Sequence, residues 1–573
     1  MTEWQQRMVR RIEAARGDRP ADLLFRGAKM VNVFTGEVAS NSVAVYDGVV
    51  VGFDDRQATE VLELNGAILA PGFIDGHFHL ESTLLVPGEF ARAVLPHGTT
   101  TVVADPHEIA NVAGVAGVEF MLEASEDIGL EIFYMAPSCV PATHLETAGA
   151  QLSANHLEKL AQHPRVIGLA EMMNFPGVIF GDPVILDKLE RFRNKVIDGH
   201  SPGLSGPPLD AYLCGGIGSD HECTRLEEAR EKLGKGMHIM LREGSQARDL
   251  EALAPLVTAQ TKHRCMLVSD DCHPEDLLEQ GHMNRVLRRA MELSIDPISC
   301  IQLASLNPAR YFGLRQLGAI APGYQADIVV LGSLESFEVS RVYKKGRLVA
   351  KDGKCLLPEL SLAKGSKLVS MKLDELNEED LRIKVEGSKI RAIRAAANTL
   401  ITEEEILPVT ERRGEAVSAP NRDLLKIAVI ERHHGSGRIG LGFVRGLGLR
   451  QGALASTVAH DSHNLIVVGA NDQDMVVAAN VLRELGGGLV VIRGGRIEAQ
   501  LPLPVAGLMS TASLERVVES KKEVNQAALE LGTTLEQAFM ALSFLALPVI
   551  PKLKLTDQGL VDVESFRHVP LFV

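Results

Sequence analysis

The chain has 573 residues, 46% of them apolar and 23% charged, the usage of an ordinary globular protein with room for roughly two to four domains. Lys+Arg 59 against Asp+Glu 74 leaves a net charge of −15, which argues against a strongly basic nucleic-acid face. Aromatic residues are few (18 Phe, 6 Tyr, 1 Trp) and offer little for stacking bases.

The opening MTEWQQRMVRRIEAARG has no apolar core of a secretory signal and reads as an amphipathic helix. From Pro20 to about Ala70, short β-like runs alternate with turns (LLFRGAKMVNV, TGEVASNS, VAVYDGVVVGF). From about Pro71 to Phe312, apolar β-like runs alternate with helical stretches, the pattern of a (β/α)8 TIM-like barrel of α/β class. ADIVVLG and RVYKKGRLVAKDGK then return to strands. The expected organisation is a small β-sandwich domain built from both flanks (1–70 plus 320–365), a barrel over 71–319 and an α/β or α+β domain over 366–573. The charged stretches KLDELNEEDLRIKVEG and ITEEEILPVTERRGEAV interleave apolar residues and read as ordered elements. The most apolar stretch, residues 539–550, holds 12 residues including Pro548, short of the roughly 20 that cross a bilayer. No membrane partner is expected, and the expected compartment is the cytoplasm. The seven cysteines are scattered, odd in number and contain no C-x-x-C, so neither a disulfide framework nor a zinc ribbon is indicated.

Eight apolar runs in the middle region each stop at a polar cluster: ILAPGFIDGHFH, TTTVVADPHE, IFYMAPSC, VIGLAEMMN, KVIDGH, CGGIGSDH, MHIMLREG and CMLVSDD. Barrel enzymes draw their catalytic groups from these C-terminal strand ends. His77 and His79 are two apart, so on a strand they share a face and can chelate one ion. Glu171, His200, His221 and Asp270 end the fourth, fifth, sixth and eighth runs. Taken singly, each histidine reads as structural; six such groups at run ends read as a mixed nitrogen and oxygen set for Mn, Fe or Zn. Glu171 is placed to bridge two ions about 3.5–4 Å apart.

PGFIDGHFHLEST, GTTTVVADPHEIANV and LNPARYFGL…GAIAPGYQADIVVL resemble the amidohydrolase superfamily. HFHLEST, ADPHEIANV, LAEMMNFPGV, DGHSPGL, SDHECT, LREGS, VSDD and the later HDSHN resemble, more closely, the bacterial adenine deaminases over essentially the whole chain. The resemblance implies conversion of adenine and water to hypoxanthine and ammonia in purine salvage or catabolism. It also implies two divalent ions, Mn or Fe first and Zn as a third choice, and an adenine-deaminase-type C-terminal domain. Many binuclear relatives carry a carboxylated lysine on the fourth strand, but LAEMMN offers Glu171 and no lysine. That weakens a dihydroorotase or hydantoinase reading. No P-C-x-x-C completes the zinc site of the other deaminase class.

The expected mechanism is attack on C6 by a hydroxide bridging the two ions, with Asp270 accepting the proton and passing it to the leaving amine, and Glu171 second in proton handling. Candidate purine contacts are Glu81, Ser82, Asp105, His107, Glu108, Arg242, Glu243 and Asp271; for each, an ion pair or a helix cap is the bland alternative. Asp105 and His107, two apart on one strand, also offer a place for an additional ion. The clusters His433–His434 and His460–Asn464 are expected to close over the site, serve an interface or, most simply, stabilise turns. Gly435, Gly437 and Gly440 satisfy G-x-G-x-x-G, but no apolar helix follows, which disfavours a dinucleotide site. The competing readings are another amidohydrolase and a non-catalytic scaffold; the scaffold predicts missing ligands. Closed homo-oligomers are common, so a homo-oligomer is expected, with a dimer as the plausible form.

Overall fold

The N-terminal amphipathic pattern forms helix Glu3–Arg16, with Thr2 capping its start and Gly17, at φ 85°, ending it in the left-handed region. The protein is described from a computed structural model covering residues 1–358, 368, 371–396 and 399–573. The division at residues 365/366 that the sequence suggests lies outside the described residues.

Strands from the two flanks share one nine-stranded sheet. Ile68–Pro71 pairs on one side with Ala21–Asn32 and on the other, antiparallel, with Ile328–Leu331. Alternation sorts the side chains of Ala21–Asn32 between two faces. Leu23 and Phe25 pack with Val43, Ile328 and Tyr343, while Leu24 joins Ala14 of the N-terminal helix, Ala44 and Val51.

The middle region forms two parallel sheets. One orders Val196–Gly199, Val166–Met172, Glu131–Ala136, Thr99–Ala104, Phe73–His79 and Asp270–Asp271; the other orders Ser219–Asp220, His238–Arg242 and Cys265–Val268. The eighth apolar run therefore joins both sheets, and Gly218 N–H donates to Ile197 O at 2.9 Å where the other ends meet. Strands covered on both faces read as continuous apolar runs. Val103, Met135, Ala170, Met240, Met266 and Val268, drawn from both sheets, form one buried cluster with Phe312, which ends helix Leu306–Tyr311. At Gly98 (φ +86°) a Cβ would come within 2.8 Å of the Phe73 ring, so only glycine turns the chain into Thr99–Ala104 there.

The C-terminal region is built on an eight-stranded sheet, antiparallel except where Lys389–Arg394 runs parallel to Ile439–Arg445. Helix Asp472–Leu485 covers one face through Met475, Ala478 and Leu482 against Ala428, Val467 and Val490. Helix Leu514–Glu530 buries Val517, Val518 and Val524 in the main core with Leu454, Val468 and Val491. Of the charged stretches, the first holds the short turn Glu378–Leu381 and the second the strand Glu403–Pro408, with strand Lys389–Arg394 between them. The glycine-rich G-x-G-x-x-G leads into strand Ile439–Arg445, not into a helix. Among the described residues no helix is long and apolar enough to cross a membrane, and all seven cysteines are free thiols.

Candidate metal centre

Strand Phe73–His79 puts His77 and His79 on one side, and the chain after Val268 turns Asp270 towards them. Asp270 sits at φ 59°, a left-handed conformation that aspartate tolerates better than most side chains. Its Oδ1 lies 3.4 Å from His77 Nε2 and 3.0 Å from His79 Nε2. Glu171 presents Oε1 to His79 Nε2 at 3.5 Å, and Oε2 to His200 Nδ1 at 2.5 Å and His221 Nε2 at 3.3 Å. The ligand atoms of His77, His79 and Asp270 lie within 4.8 Å of one another, as do those of His77, Glu171 and His221. All six sequence-picked groups thus converge. His77 Nε2 is buried without a hydrogen-bond partner, a costly arrangement for a polar atom unless a cation takes it. The donor set and this orphaned nitrogen fit divalent ions. His79 Nδ1 meets the Asp105 carbonyl at 3.2 Å, which turns Nε2 inward in the manner of metal-binding histidines.

Electrostatics favour an ionised centre. Burial works to raise the Asp270 carboxyl, but the facing imidazoles of His77 and His79 and the Arg242 charge outweigh it and hold it well below the ordinary carboxylate range. Burial likewise opposes ionisation of Glu171, and His200 and His221 override it. Burial alone dominates at Glu81, pushing it up to about 7.

The surrounding shell holds groups the sequence reading missed. Arg242 donates to Asp270 Oδ2 at 3.0 Å and to Asp249 Oδ2 at 2.9 Å, and pairs with Glu222. Glu222 in turn lies 3.4 Å from His221 Nε2. Asp75 accepts from Ser269 Oγ at 2.5 Å and faces His282 Nε2 at 3.3 Å, fixing the start of the Asp270 turn. Lys232, fully buried, donates to Ser201 O at 2.6 Å, Asp220 Oδ2 at 2.9 Å and Glu228 Oε1 at 2.8 Å, tying together the residues that follow His200 and precede His221. Asp75, Asp220 and Glu222 lie within the quoted motifs beside His77 and His221, which was the available signal; Lys232, Asp249 and His282 come from segments outside them.

Of the proposed purine contacts, Glu81, Ser82, Glu108 and Asp271 line one cavity beside the centre. Ser82 hydrogen-bonds Asp271, and Glu81 Oε1 accepts from Ile109 N–H at 3.0 Å. Asp105 and His107 stand nearer the metal ligands: His107 Nδ1 is 3.4 Å from Asp105 Oδ2 and 3.5 Å from Glu171 Oε1, and both Asp105 oxygens are buried without hydrogen bonds. Arg242 lies behind Asp270, and neither it nor Glu243 is among the residues lining the cavity. The far wall of the cavity comes from the C-terminal region: His460, His463, Leu508, Phe539, Met540 and Phe544. His433 Nε2 meets Ser462 O at 2.7 Å and His434 Nε2 meets Ala148 O at 3.0 Å, so this pair secures the HDSHN turn and its contact with the parallel-strand region.

This fold and centre define a metal-dependent hydrolase of amidohydrolase type. Residues 68–349 match the amidohydrolase family and residues 399–567 match the adenine deaminase C-terminal domain. The chain is 51% identical over 564 residues to an adenine deaminase of Desulfatibacillum aliphaticivorans, covering 98% of this chain and 99% of that protein. It is 48% identical to one of Methanothrix thermoacetophila, again over 98% and 99% of the two chains. The crystal structure of an adenine deaminase aligns over 57% of this chain and 99% of its own, at 16% identity and a TM-score of 0.44. The chain belongs to the adenine deaminase family.

Proposed function

We propose that this protein hydrolyses adenine to hypoxanthine and ammonia, in purine salvage or catabolism. The observation that carries the reading is the convergence of all six ligand groups in a chain alike over its whole length to named adenine deaminases. His77, His79, Glu171, His200, His221 and Asp270 are the residues that would hold two divalent ions, Mn or Fe first and Zn within the same donor chemistry. Bound there, such ions supply Lewis acidity and make water acidic enough to ionise near neutral pH.

Asp270 is the proposed proton carrier. Its Oδ1 faces the two histidines and its Oδ2 is held by Arg242, so the carboxylate is oriented and ionised, ready to accept a proton. It takes the proton of the attacking water and returns it to the exocyclic nitrogen of adenine; the C6–N bond breaks and ammonia leaves. Glu171 ranks second, because its oxygens are already shared among four histidines. Glu81, Ser82, Glu108 and Asp271 are the proposed purine contacts. Asp105 and His107 either approach the substrate or hold an additional ion. Arg242 acts by positioning Asp270, and the position of Glu243 favours a supporting role over substrate contact.

The two parallel sheets are inferred to close into one (β/α)8 barrel over 71–319. The flank sheet is assigned to 1–70 plus 320–365 and the adenine-deaminase-type domain to 366–573. A cytoplasmic homodimer is the proposed assembly.

The test is ammonia release by protein stripped of metal and reloaded with Mn(II), offered adenine, adenosine, guanine and cytosine. Metal-dependent turnover of adenine alone is expected. No adenine turnover with two ions bound would discard the substrate and redirect the search to cyclic amides.

A further inference from the structure

The cavity beside the metal centre has walls of two kinds. Glu81, Ser82, Glu108 and Asp271 supply polar groups from the parallel-strand region; Leu508, Phe539, Met540 and Phe544 supply apolar surface from the C-terminal region. A slot with one apolar wall and convergent polar groups suits a flat heterocycle that hydrogen-bonds through its edges. Polar residues of the C-terminal region line it too, His460 among them with Ser456, His463, Lys521 and Ser543. His460 stacks on Phe544, with ring centroids 4.8 Å apart and planes 20° apart, and its Nδ1 lies 2.7 Å from Glu108 Oε1.

We propose that His460 contacts the purine ring through Nε2 and is a specificity-determining residue of the deaminase site, held in place by Glu108 and Phe544. The proposal rests on the deaminase reading above. The hydrogen bonds fix which nitrogen is available. His463 uses both of its own: Nδ1 accepts from Ala459 N–H at 3.1 Å, so Nε2 carries the proton given to Glu108. His460 gives its Nδ1 proton to the other Glu108 oxygen, and among the described residues no hydrogen bond engages its Nε2. The stacked phenyl ring fixes the imidazole plane, so the direction of Nε2 is set before any ligand arrives. Burial disfavours a charged His460, but Glu108 outweighs it and raises the ring to about 9, which makes Nε2 a donor suited to a ring nitrogen of the purine. A half-buried donor held in this way discriminates against a ligand that offers C–H in place of that nitrogen.

The experiment uses the metal-loaded, full-length protein and measures adenine turnover together with competitive inhibition by 1-, 3- and 7-deazaadenine, in wild type, His460→Ala and His460→Gln. In wild type, the analogue lacking the contacted nitrogen should bind at least about 10-fold more weakly than the other two. That gap should shrink below about 3-fold in His460→Ala and partly return in His460→Gln, which keeps a donor. The adenine KM should rise about 10-fold or more in His460→Ala with a much smaller change in kcat. An unchanged ranking of the three analogues in both variants would overturn the proposal, and His460→Gln alone suffices for that comparison if the alanine variant does not fold. Loss of a metal equivalent in the variants would also overturn it, assigning Glu108, His460 and His463 to an ion instead. Absence of adenine turnover by the wild-type protein removes the deaminase reading, and the proposal with it.

Discussion

Two groups of histidines, one at the parallel-strand ends and one in the C-terminal region, differ in what their nitrogens already do. At the parallel-strand ends, His77, His79, His200 and His221 crowd around Glu171 and Asp270, and His77 Nε2 has no hydrogen-bond partner at all. In the C-terminal region, His433 and His434 are tied to backbone carbonyls, and His463 is tied to Glu108 and to its own turn. The residue type is the same in both. Committed nitrogens make a clasp between two parts of the chain, whereas nitrogens pointed at shared carboxylates make a place for cations.

The sharpest way to break this comparison is at Asp270. Asp270→Asn should lower kcat by between about 100- and 10,000-fold while most of the metal stays bound, read by steady-state kinetics and metal analysis; near wild-type turnover would sink the proton-carrier role. Next in size is Arg242→Met, which takes the shared cation away from Glu222, Asp249 and Asp270. It should cost about 3–5 kcal/mol of stability in a denaturant titration, and a loss under about 1 kcal/mol would show that the network is not needed for folding.

A buried amine in the C-terminal region predicts a pH effect of its own. Burial lowers Lys554 from its ordinary 10.5 to about 7, so the folded protein resists protonation that the unfolded chain accepts. The penalty is full below about 7 and absent above 10.5. Between those values stability should rise with pH, by up to about 1.4 kcal/mol per unit. Lys554→Met should flatten that slope in melting curves taken across the window; an unchanged slope would assign the dependence elsewhere. The smallest effect is expected at the clasp. His433→Ala should lose about 1–2 kcal/mol of stability and leave kcat within about twofold, and a collapse of kcat would move His433 into the site proper.

Much of the centre's geometry was legible because each candidate ligand ends an apolar run. His77 and His79 announced themselves by spacing, and Glu171, His200, His221 and Asp270 by position after a strand-like stretch. The flank sheet was legible for a similar reason, since strand-like runs bracket the parallel-strand region. What could not be read was pairing over distance. Nothing near Glu108 indicates His460, 352 residues further along the chain, and Asp249 carries no pattern that marks it as a partner of Arg242. Such contacts depend on how separate elements pack, which local periodicity does not encode. Arg242 and Glu243 adjoin in LREGS, and their position after a strand-like run marks both as candidate purine contacts. The structure puts Arg242 against carboxylates and Glu243 outside the cavity lining, because successive residues at a strand end point in opposite directions.

The sheet that joins the two flanks imposes an order of events during synthesis. Ala70 pairs with Val329, so Ile68–Pro71, made early, stays an unsealed edge until every strand of the parallel region has left the ribosome. Exposed edges of this kind recruit other chains, and long-range pairing is slow to form. Fragments released before Ile328 should therefore collect as aggregates, while chains extended through residue 355 can close the seam themselves.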